Sequence, residues 1–465
     1  MKTSLKKILL AGSVILALFL AVHFSSLNCL FSAQPNTQET VAAEAAAVYY
    51  DASVFPLPIT HYTQRHPAAA NSYLIWHRIP NAVYYEIELL SGPPEEEHTI
   101  YLSQTQHLFS TKSVYTNGWQ ADFTPYLNEP VLYWRVRALD YFDHPIGAFS
   151  KAERLYIDPE AAEPEKPLLN IYDRPKIPTQ PLYPVYDWIP MHDPEVQYEV
   201  ELLSAPPEEE NNTKPSIHRI WHSEITDMAS YYDDMPRNIP GKYWWRVRAV
   251  DPEGKTIGVY SDAQEMIVPQ SEPLLLAAAF GDSITHGGGA LSYSPADQEY
   301  SYETYLEFPA VNLGRSGDTA TMSADRFEQD VVPFHPLNLL ILCGSNDLRD
   351  GSISAADTIA ALKRIQEACE RNHIHPIFLT LMPIHPENIY QAFHTETDES
   401  WREKLNVINA YIRTQPDYID LEPYFYNSSG LLATKYATDG LHGDIRGKKL
   451  MAYIINEHQD LLIHP

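Results

Sequence analysis

Apolar and polar residues alternate in two different ways along this chain. Between about residues 50 and 270 the apolar positions recur at every second residue, as in the runs that begin at Tyr85 and Trp245, and proline-rich turns separate these runs. This period is typical of half-buried β-strands. From Leu274 onward, short apolar runs alternate with stretches of helical period. The pattern therefore predicts β-rich domains followed by an α/β domain whose parallel sheet is covered on both sides.

The β-rich part repeats itself. Residues 85–97 (YEIELLSGPPEEE) recur as residues 198–210 (YEVELLSAPPEEE). Residues 134–140 (WRVRALD) likewise recur as residues 245–251 (WRVRAVD). Two copies of one domain are therefore predicted, and the alternation with proline-rich turns favours a β-sandwich for each copy.

The two copies share a series of residues that resembles the pattern of a fibronectin type III domain. In each copy a tryptophan, a tyrosine and a second tryptophan precede an Ile-Gly pair and a serine. These residues are Trp76, Tyr85, Trp134, Ile146, Gly147 and Ser150 in the first copy, and Trp188, Tyr198, Trp245, Ile257, Gly258 and Ser261 in the second. The resemblance covers about residues 54–268.

These patterns divide the chain into five segments. Residues 159–167 and 268–273 are rich in proline and glutamate or other polar residues, which predicts stiff, polar linkers. We predict a signal peptide or signal anchor at residues 1–33, a linker at 34–53, the first repeat at 54–158, the second repeat at 168–268 and the α/β domain at 274–465.

The amino-terminal segment predicts export. Three lysines precede a nearly unbroken apolar run at residues 8–24. The run is long for a cleaved signal peptide and short for a membrane span, so a cut after Ala33 and an uncleaved anchor both stay open. Lipidation of Cys29 is a weaker alternative, because Asn28 stands where a small residue is wanted. We expect a secreted or cell-surface protein that meets a membrane only through this segment.

Charge and cysteine content exclude some classes of protein. With 61 acidic against 33 basic residues, the formal charge of −28 repels nucleic-acid phosphates and anionic lipid. We therefore expect no nucleic-acid partner. Beyond the amino-terminal segment the chain has only Cys343 and Cys369, which excludes a disulfide framework and favours two buried apolar thiols.

The α/β region contains short apolar runs suited to buried parallel strands. They lie at residues 274–280, 310–313, 339–343, 377–381 and 418–421. Two helical stripes lie between them, and Ser354 with Asp357 predicts a capping box at the start of the first stripe. The stripes are Ile359, Leu362, Ile365 and Cys369, then Trp401, Leu405, Ile408 and Ile412. Alternating strands and helices place a functional site at the carboxyl ends of the strands.

Four polar segments lie at such strand ends or on the last loop. They are Gly281-Asp282-Ser283, residues 312–319 (NLGRSGDT), residues 344–347 (GSND) and residues 439–442 (DGLH). Together they supply what an attack on an ester needs: a serine, a base for its proton, a carboxylate that orients the base, and donors for the oxyanion. The spacing of Asp439 and His442 lets the carboxylate hold one imidazole nitrogen while the other faces Ser283.

These segments resemble the SGNH hydrolases, also called GDSL esterases, whose four sequence blocks appear here in order over about residues 274–465. The resemblance implies a three-layer, flavodoxin-like α/β fold and a carboxylic ester hydrolase that needs no cofactor and no metal. One position departs from the family. Gly443 follows His442 where proline is frequent, and this change would loosen the loop.

The resemblance also implies a role for each site residue. Ser283 is the nucleophile, His442 the base and Asp439 the residue that orients it. The backbone amides of Ser283 and Gly317 and the side chain of Asn346 form the oxyanion hole. Glycine at position 317 leaves room for the backbone N–H to approach the substrate.

Other motifs support other chemistry less well. The Gly-x-Ser-x-Gly motif of α/β-hydrolases is absent around Ser283. Residues 287–289 are three glycines, but no Gly-Lys-Ser/Thr closes a phosphate loop. His373, His375 and His385 lack a recognisable metal spacing.

Two further groups of residues have more than one interpretation. Tyrosines near the site either stack on sugar rings or pack in the core, and they are Tyr293, Tyr300, Tyr302 and Tyr305. The acidic tracts at residues 95–97 and 208–210 are interpreted as solvated loops, with calcium or a cationic surface as alternatives.

We expect an exported serine esterase that removes O-acetyl groups from polysaccharide. Lysophospholipase- or lipase-like hydrolysis of long acyl chains is the rival within the enzyme class. An adhesin or wall-binding protein with a secondary hydrolase domain is the alternative that the repeats suggest. Spacer domains are favoured over that alternative because the tryptophans of the repeats fall at core positions, namely Trp76, Trp134, Trp188 and Trp245.

Overall fold

The computed structural model describes residues 50–161, 165–172, 180–270, 275–288 and 295–464. The expected signal segment, most of the linker after it, Gly289 of the glycine triplet and Tyr293 lie outside these ranges. Among the helices within them, none combines the length and the apolar character that a membrane crossing needs.

The first repeat forms two antiparallel sheets. Its strands are β1 (Asn71–Ile75), β2 (Tyr84–Leu90), β3 (His107–Val114), β4 (Gly118–Asp122), β5 (Leu132–Leu139) and β6 (Glu153–Leu155). One sheet has the order β3-β2-β5-β6, and β1 pairs with β4 in the other. Side chains from both sheets, such as Leu74, Ile87 and Val136, meet in one core. This arrangement is consistent with a sandwich.

The second repeat has the same plan. Its strands are β7 (Leu168–Leu169), β8 (Val185–Ile189), β9 (Gln197–Leu203), β10 (Arg219–His222), β11 (Ser230–Tyr232), β12 (Gly241–Val250), β13 (Thr256–Ile257) and β14 (Gln264–Val268). One sheet has the order β10-β9-β12-β13 with β14 also paired to β12, and the other has the order β11-β8-β7.

The four tryptophans of the repeats that were assigned to core positions are buried, namely Trp76, Trp134, Trp188 and Trp245. Trp76 and Trp188 are fully buried, and each packs on the following tyrosine with ring centroids 5.2 and 5.1 Å apart. The hydroxyls of those tyrosines, Tyr85 and Tyr198, accept a backbone N–H from the loop before the strand. Equivalent residues of the two sequences therefore make equivalent contacts.

The C-terminal region contains a five-stranded parallel sheet, as predicted. Its strands are β15 (Ala277–Gly281), β16 (Ala310–Asn312), β17 (Asn338–Leu342), β18 (His375–Leu379) and β19 (Tyr418–Ile419). Their order is β16-β15-β17-β18-β19, and every neighbouring pair is parallel. β18 ends before Leu381, which was predicted to belong to it. Leu381 is nevertheless fully buried in the loop that follows, so its apolar character reflects burial and not strand pairing.

Helices connect these strands. They are α1 (Ser283–His286), α2 (Ala320–Asp330), α3 (Ser345–Arg349), α4 (Ala355–Arg371), α5 (Pro386–Phe393), α6 (Trp401–Ile412) and α7 (Ile445–Asn456). The predicted capping box is present at the start of α4, where Ser354 and Asp357 exchange side-chain-to-backbone hydrogen bonds. Cys343 and Cys369 are buried free thiols.

Two apolar cores hold the described residues together. One lies within the first repeat. The other is continuous from the second repeat into the C-terminal region, where residues such as Tyr183 and Val331 belong to the same cluster. Burial of apolar area is the main stabilising term in folding, so the second repeat and the C-terminal region stabilise each other.

Candidate active site

Ser283 lies at the turn between β15 and α1. The strand can approach β17 and α1 closely because residue 281 is glycine: a Cβ there would lie 2.3 Å from the carbonyl oxygen of Leu342 and 2.4 Å from Oγ1 of Thr285. Asp282 caps the helix by accepting the N–H of Ile284 at 3.0 Å. The strand end and the cap together set the position of Ser283, whose side chain is half-buried.

His442 and Asp439 reach Ser283 from the last loop. Ser283 Oγ lies 2.8 Å from Nε2 of His442, and Nδ1 of His442 lies 2.9 Å from Oδ2 of Asp439. A carboxylate only accepts hydrogen bonds, so the imidazole proton is on Nδ1 and Nε2 accepts the serine O–H. The geometry is that of a serine, a base and an orienting acid in series.

Backbone N–H groups of the loop from Asp439 to His442 fix the carboxylate of Asp439. The backbone N–H groups of Leu441 and His442 each donate to Oδ1 of Asp439 at 2.8 Å, and the Asp439 side chain is fully buried. Gly440 has φ +80°, and a Cβ there would lie 2.5 Å from the carbonyl oxygen of His385, so this turn requires glycine. On the other side, the ring of Phe393 packs edge-on against His442 with centroids 6.0 Å apart.

Gly317 lies in a tight turn beside the end of β15, the strand that precedes Ser283. The N–H of Arg315 donates to the carbonyl of Gly281 at 3.0 Å, and the N–H of Asp318 donates to the carbonyl of Arg315 at 3.3 Å. Gly317, the third residue of this turn, has φ +86° and is exposed. A type II turn requires glycine at this position, so the residue type follows from the backbone conformation.

Asn346 lies next to that turn. Its side-chain amide donates one hydrogen to the carbonyl of Asp318 at 2.9 Å, and the amide has a second hydrogen for another acceptor. The neighbouring carboxylate of Asp347 is buried and accepts from the N–H of Ala320 and the hydroxyl of Thr358. These bonds tie the start of α3 to the starts of α2 and α4.

Buried charged residues surround the turn that carries Ser283. Burial raises the pKa of Asp282 to about 6, although its hydrogen bonds from Ile284 and Ser345 act in the opposite direction. Lys448 on α7 is fully buried and donates to the carbonyl of Ile284 at 2.6 Å. Burial lowers the pKa of Lys448 to about 8. The lysine therefore holds the backbone just after Ser283 from the side of α7.

The structure assigns several residues near the site to packing. Tyr300 and Tyr302 are almost completely buried, so the alternative in which they stack on sugar rings is wrong for these two. His375 lies between Asn338 and Asp417, away from the nucleophile turn. Within the described part of the chain, no three His, Cys, Asp or Glu side chains cluster as a metal ion requires.

Sequence reasoning missed three residues that contact the site. Phe393 supports His442, and Lys448 holds the carbonyl of Ile284. His286 makes hydrogen bonds to Ser316 and to Tyr183 of the second repeat. A backbone carbonyl or an aromatic edge has no motif of its own, so only the folded chain shows these partners.

The segment that carries this geometry matches a known family. Residues 279–450 match the model of the GDSL-like Lipase/Acylhydrolase family. This part of the chain is a GDSL-like lipase/acylhydrolase domain. The enzyme class predicted from the four blocks is confirmed: the hydrolase domain is a carboxylic ester hydrolase.

Among curated proteins the chain has no match. Solved structures similar to the chain include a GDSL-like lipase from Bacteroides thetaiotaomicron (20% identity, 40% of this chain and 87% of that chain covered, TM-score 0.31). A lipase/acylhydrolase from Enterococcus faecalis has 22% identity, with 40% of this chain and 95% of that chain covered and a TM-score of 0.33. A mutant acetyl-xylooligosaccharide esterase from Geobacillus Stearmophilus has 19% identity, with 39% and 92% covered and a TM-score of 0.30.

Proposed function

We propose that the protein is an exported serine esterase in which Ser283 forms an acyl-enzyme. The observation that carries this proposal is the series of short contacts from Ser283 Oγ to His442 and from His442 to Asp439, at 2.8 and 2.9 Å. The proton of the serine moves to Nε2 as Oγ attacks the acyl carbon, and the carboxylate stabilises the imidazolium that forms. His442 then returns this proton to the leaving alcohol.

In the second half of the reaction, water replaces the alcohol. His442 takes a proton from the water, the hydroxide attacks the acyl carbon, and Ser283 leaves with the free acid as product. In both halves the carbonyl oxygen becomes negative. We assign the N–H groups of Ser283 and Gly317 and the side chain of Asn346 as its donors. Ser283 is the first residue of α1, where the backbone N–H has no intrahelical acceptor.

Site-directed variants test this proposal. Ser283→Ala should lower the turnover of p-nitrophenyl acetate by a factor on the order of 10⁴ or more, and Asn346→Ala by roughly 10² to 10³. Ser429→Ala is the matched control, because Ser429 is an exposed serine on the turn that begins at Asn427, outside the four polar segments, and should keep full activity. Undiminished turnover by a folded Ser283→Ala variant would falsify the proposal.

We further propose that the natural substrate is an O-acetylated polysaccharide. Support comes from the apolar amino-terminal run, which predicts export, and from the two β-rich repeats, for which a fibronectin type III-like fold is proposed. Rates on p-nitrophenyl esters of increasing acyl length test this choice. We expect the highest kcat/KM for acetyl, whereas a preference for long chains would favour a lipase-like function.

The repeats are proposed to act as supports for the hydrolase domain and not as glycan-binding modules. Trp76, Trp134, Trp188 and Trp245 are buried inside the repeats, so these four rings are not available to a sugar. Binding of acetylated and deacetylated polysaccharide to the inactive full-length Ser283→Ala variant tests this role. Binding that is equally strong for the deacetylated polymer would instead favour a binding function in the repeats.

A further inference from the structure

His286 is a buried histidine beside the active site that the ester mechanism does not use. It ends the short helix α1 that begins at Ser283, and it is fully buried. Nδ1 lies 2.8 Å from Oγ of Ser316, and Nε2 lies 2.7 Å from the carbonyl oxygen of Tyr183. Both ring nitrogens are therefore engaged, and neither faces Ser283, whose hydroxyl is bound to His442.

The partners of His286 determine where its proton lies. A backbone carbonyl only accepts hydrogen bonds, so Nε2 must carry the proton that is donated to Tyr183. Nδ1 is then an acceptor, and the hydroxyl of Ser316 donates to it. Burial lowers the pKa of His286 to about 4, so the ring is neutral at pH 7 and this single arrangement persists. The ring thus connects a carbonyl of the second repeat to the side chain of Ser316.

Ser316 precedes the residue whose N–H is assigned to the oxyanion hole. The carbonyl of Ser316 and the N–H of Gly317 belong to one planar peptide group. In the turn from Arg315 to Asp318, the backbone of Ser316 sets the direction of that plane. A hydrogen bond that holds Ser316 therefore also limits the directions in which the Gly317 N–H can point.

Hydrogen bonds and ring packing hold the second repeat in place around Tyr183 and His286. The hydroxyl of Tyr183 donates to Oδ2 of Asp330 at 2.5 Å, and the N–H of Leu182 donates to the carbonyl of Asn312 at 2.9 Å. The ring of Tyr232, also from the second repeat, packs edge-on against His286 with centroids 5.4 Å apart. Tyr183 itself is 2% exposed.

We propose that His286 is a positioning residue through which the docked second repeat orients the oxyanion hole. The carbonyl of Tyr183 fixes the imidazole, the imidazole fixes Ser316, and Ser316 fixes the N–H of Gly317. The second repeat is then part of the catalytic unit. This inference rests on the proposed function, because it takes the Gly317 N–H as an oxyanion donor.

A double-mutant cycle in the full-length protein tests the connection. Ser316→Ala removes the hydroxyl from the turn, and His286→Phe keeps a ring of similar volume without its nitrogens. Each variant should lower kcat for p-nitrophenyl acetate about 10-fold, with KM changed less than about two-fold, because a misplaced donor acts on the transition state. The double variant should be no slower than the slower single variant, because both substitutions break the same connection.

The control is Asn238→Ala, which removes a different hydrogen bond between the same two regions. The side chain of Asn238 donates to the carbonyl of Gln329 at 3.1 Å and is not connected to the turn of Gly317. Its kcat should equal that of the wild type. If this control loses as much kcat as Ser316→Ala, any weakening of the interface suffices and the specific connection is wrong.

Two further results would overturn the inference while leaving the esterase mechanism intact. One is a wild-type kcat in Ser316→Ala while Ser283→Ala is inactive. The other is a double variant whose fold-loss in kcat equals the product of the two single losses, because this would mean that the substitutions act independently. If His286→Phe does not fold, Ser316→Ala on its half-buried turn decides the question alone. Full activity of Ser283→Ala would instead overturn the proposed function itself.

Discussion

The two repeats have the same plan of antiparallel strands but contact the hydrolase domain in different ways. The first repeat has a core of its own, and Arg78 reaches the hydrolase domain through an ion pair with Asp297. The second repeat shares one apolar core with the hydrolase domain. Tyr183, which makes the central contact, lies five residues before Trp188, whereas the residue five before Trp76 is Asn71. The second repeat therefore packs on the hydrolase domain through an apolar core that the first repeat does not share.

The two repeats share a buried ion pair in their interiors. In each repeat a buried arginine pairs with a buried glutamate across neighbouring strands: Arg135 with Glu88 at 2.6 Å, and Arg246 with Glu201 at 2.7 Å. The arginines also contact an aromatic ring, Phe149 in the first repeat and Tyr260 in the second. The buried pairs are thus common to both repeats, whereas the residues that contact the hydrolase domain differ between them.

Breaking the buried ion pair in each repeat is the test with the largest expected effect. Arg135→Met and Arg246→Met each remove the buried arginine that pairs with a buried glutamate, which should cost up to about 3–5 kcal/mol of the free energy of unfolding of that repeat. Tryptophan fluorescence and esterase activity are measured in the same urea series. Arg246→Met should lower the urea midpoint of activity, because its repeat shares a core with the hydrolase domain.

Arg135→Met is the matched control for that experiment. It should lower the midpoint of the fluorescence transition of the first repeat and leave the urea midpoint of activity unchanged. An equal loss of activity in both variants would mean that both repeats stabilise the hydrolase domain equally. The proposed difference between the two repeats would then be wrong.

Much of this architecture could be predicted from the sequence because local patterns specify it. Alternation at period two marks the strands of the repeats. Three of the four polar segments follow parallel strands, and the fourth lies on the last loop. The short separation of Asp439 and His442 indicates their contact directly. The capping box at Ser354 is equally local.

The coupling between regions could not be predicted for a physical reason. Nε2 of His286 meets a backbone carbonyl that lies 103 residues away in the chain. Every residue has a backbone carbonyl, so the residue type at position 183 does not predict this hydrogen bond. The packing of Phe393 against His442 depends in the same way on how α5 is placed in the fold.

The pH dependence of stability gives a second, intermediate test of the interface with the second repeat. The unfolded pKa of histidine is about 6.5 and the folded pKa of His286 is about 4, so the unfolded chain binds an extra proton between these values. The contribution of His286 is therefore fully present above pH 6.5 and is lost as the pH falls towards 4. At pH 5 the loss should be about 2 kcal/mol.

The difference between wild type and His286→Phe isolates this effect. Buried carboxyl groups such as Asp282 and Asp444 have raised pKa values, which act in the opposite direction in both proteins. Urea unfolding at pH 7 and pH 5 should show a larger loss in the wild type. The same loss in both proteins would show that His286 is not held neutral at this interface.

Tyr183→Phe should have the smallest effect and separates docking from catalysis. The variant loses the hydroxyl that donates to Asp330 but keeps the backbone carbonyl that holds His286. We expect a loss of about 1–2 kcal/mol in the free energy of unfolding and a kcat within about two-fold of the wild type.

Tyr243→Phe is the control for this prediction, because its hydroxyl donates to Ile239 within the second repeat. It should change stability by less than about 0.5 kcal/mol. A large loss of kcat in Tyr183→Phe with unchanged stability would indicate a direct role of the hydroxyl in the site. That result would contradict the assignment of the backbone carbonyl as the group through which Tyr183 acts.

Mass spectrometry of the protein quenched during turnover of p-nitrophenyl acetate identifies the nucleophile directly. We expect one acetyl group, located on the peptide that contains Ser283, and no acetylated peptide in the Ser283→Ala variant. Acetylation of a different residue during productive turnover would contradict the assignment of Ser283 as the nucleophile.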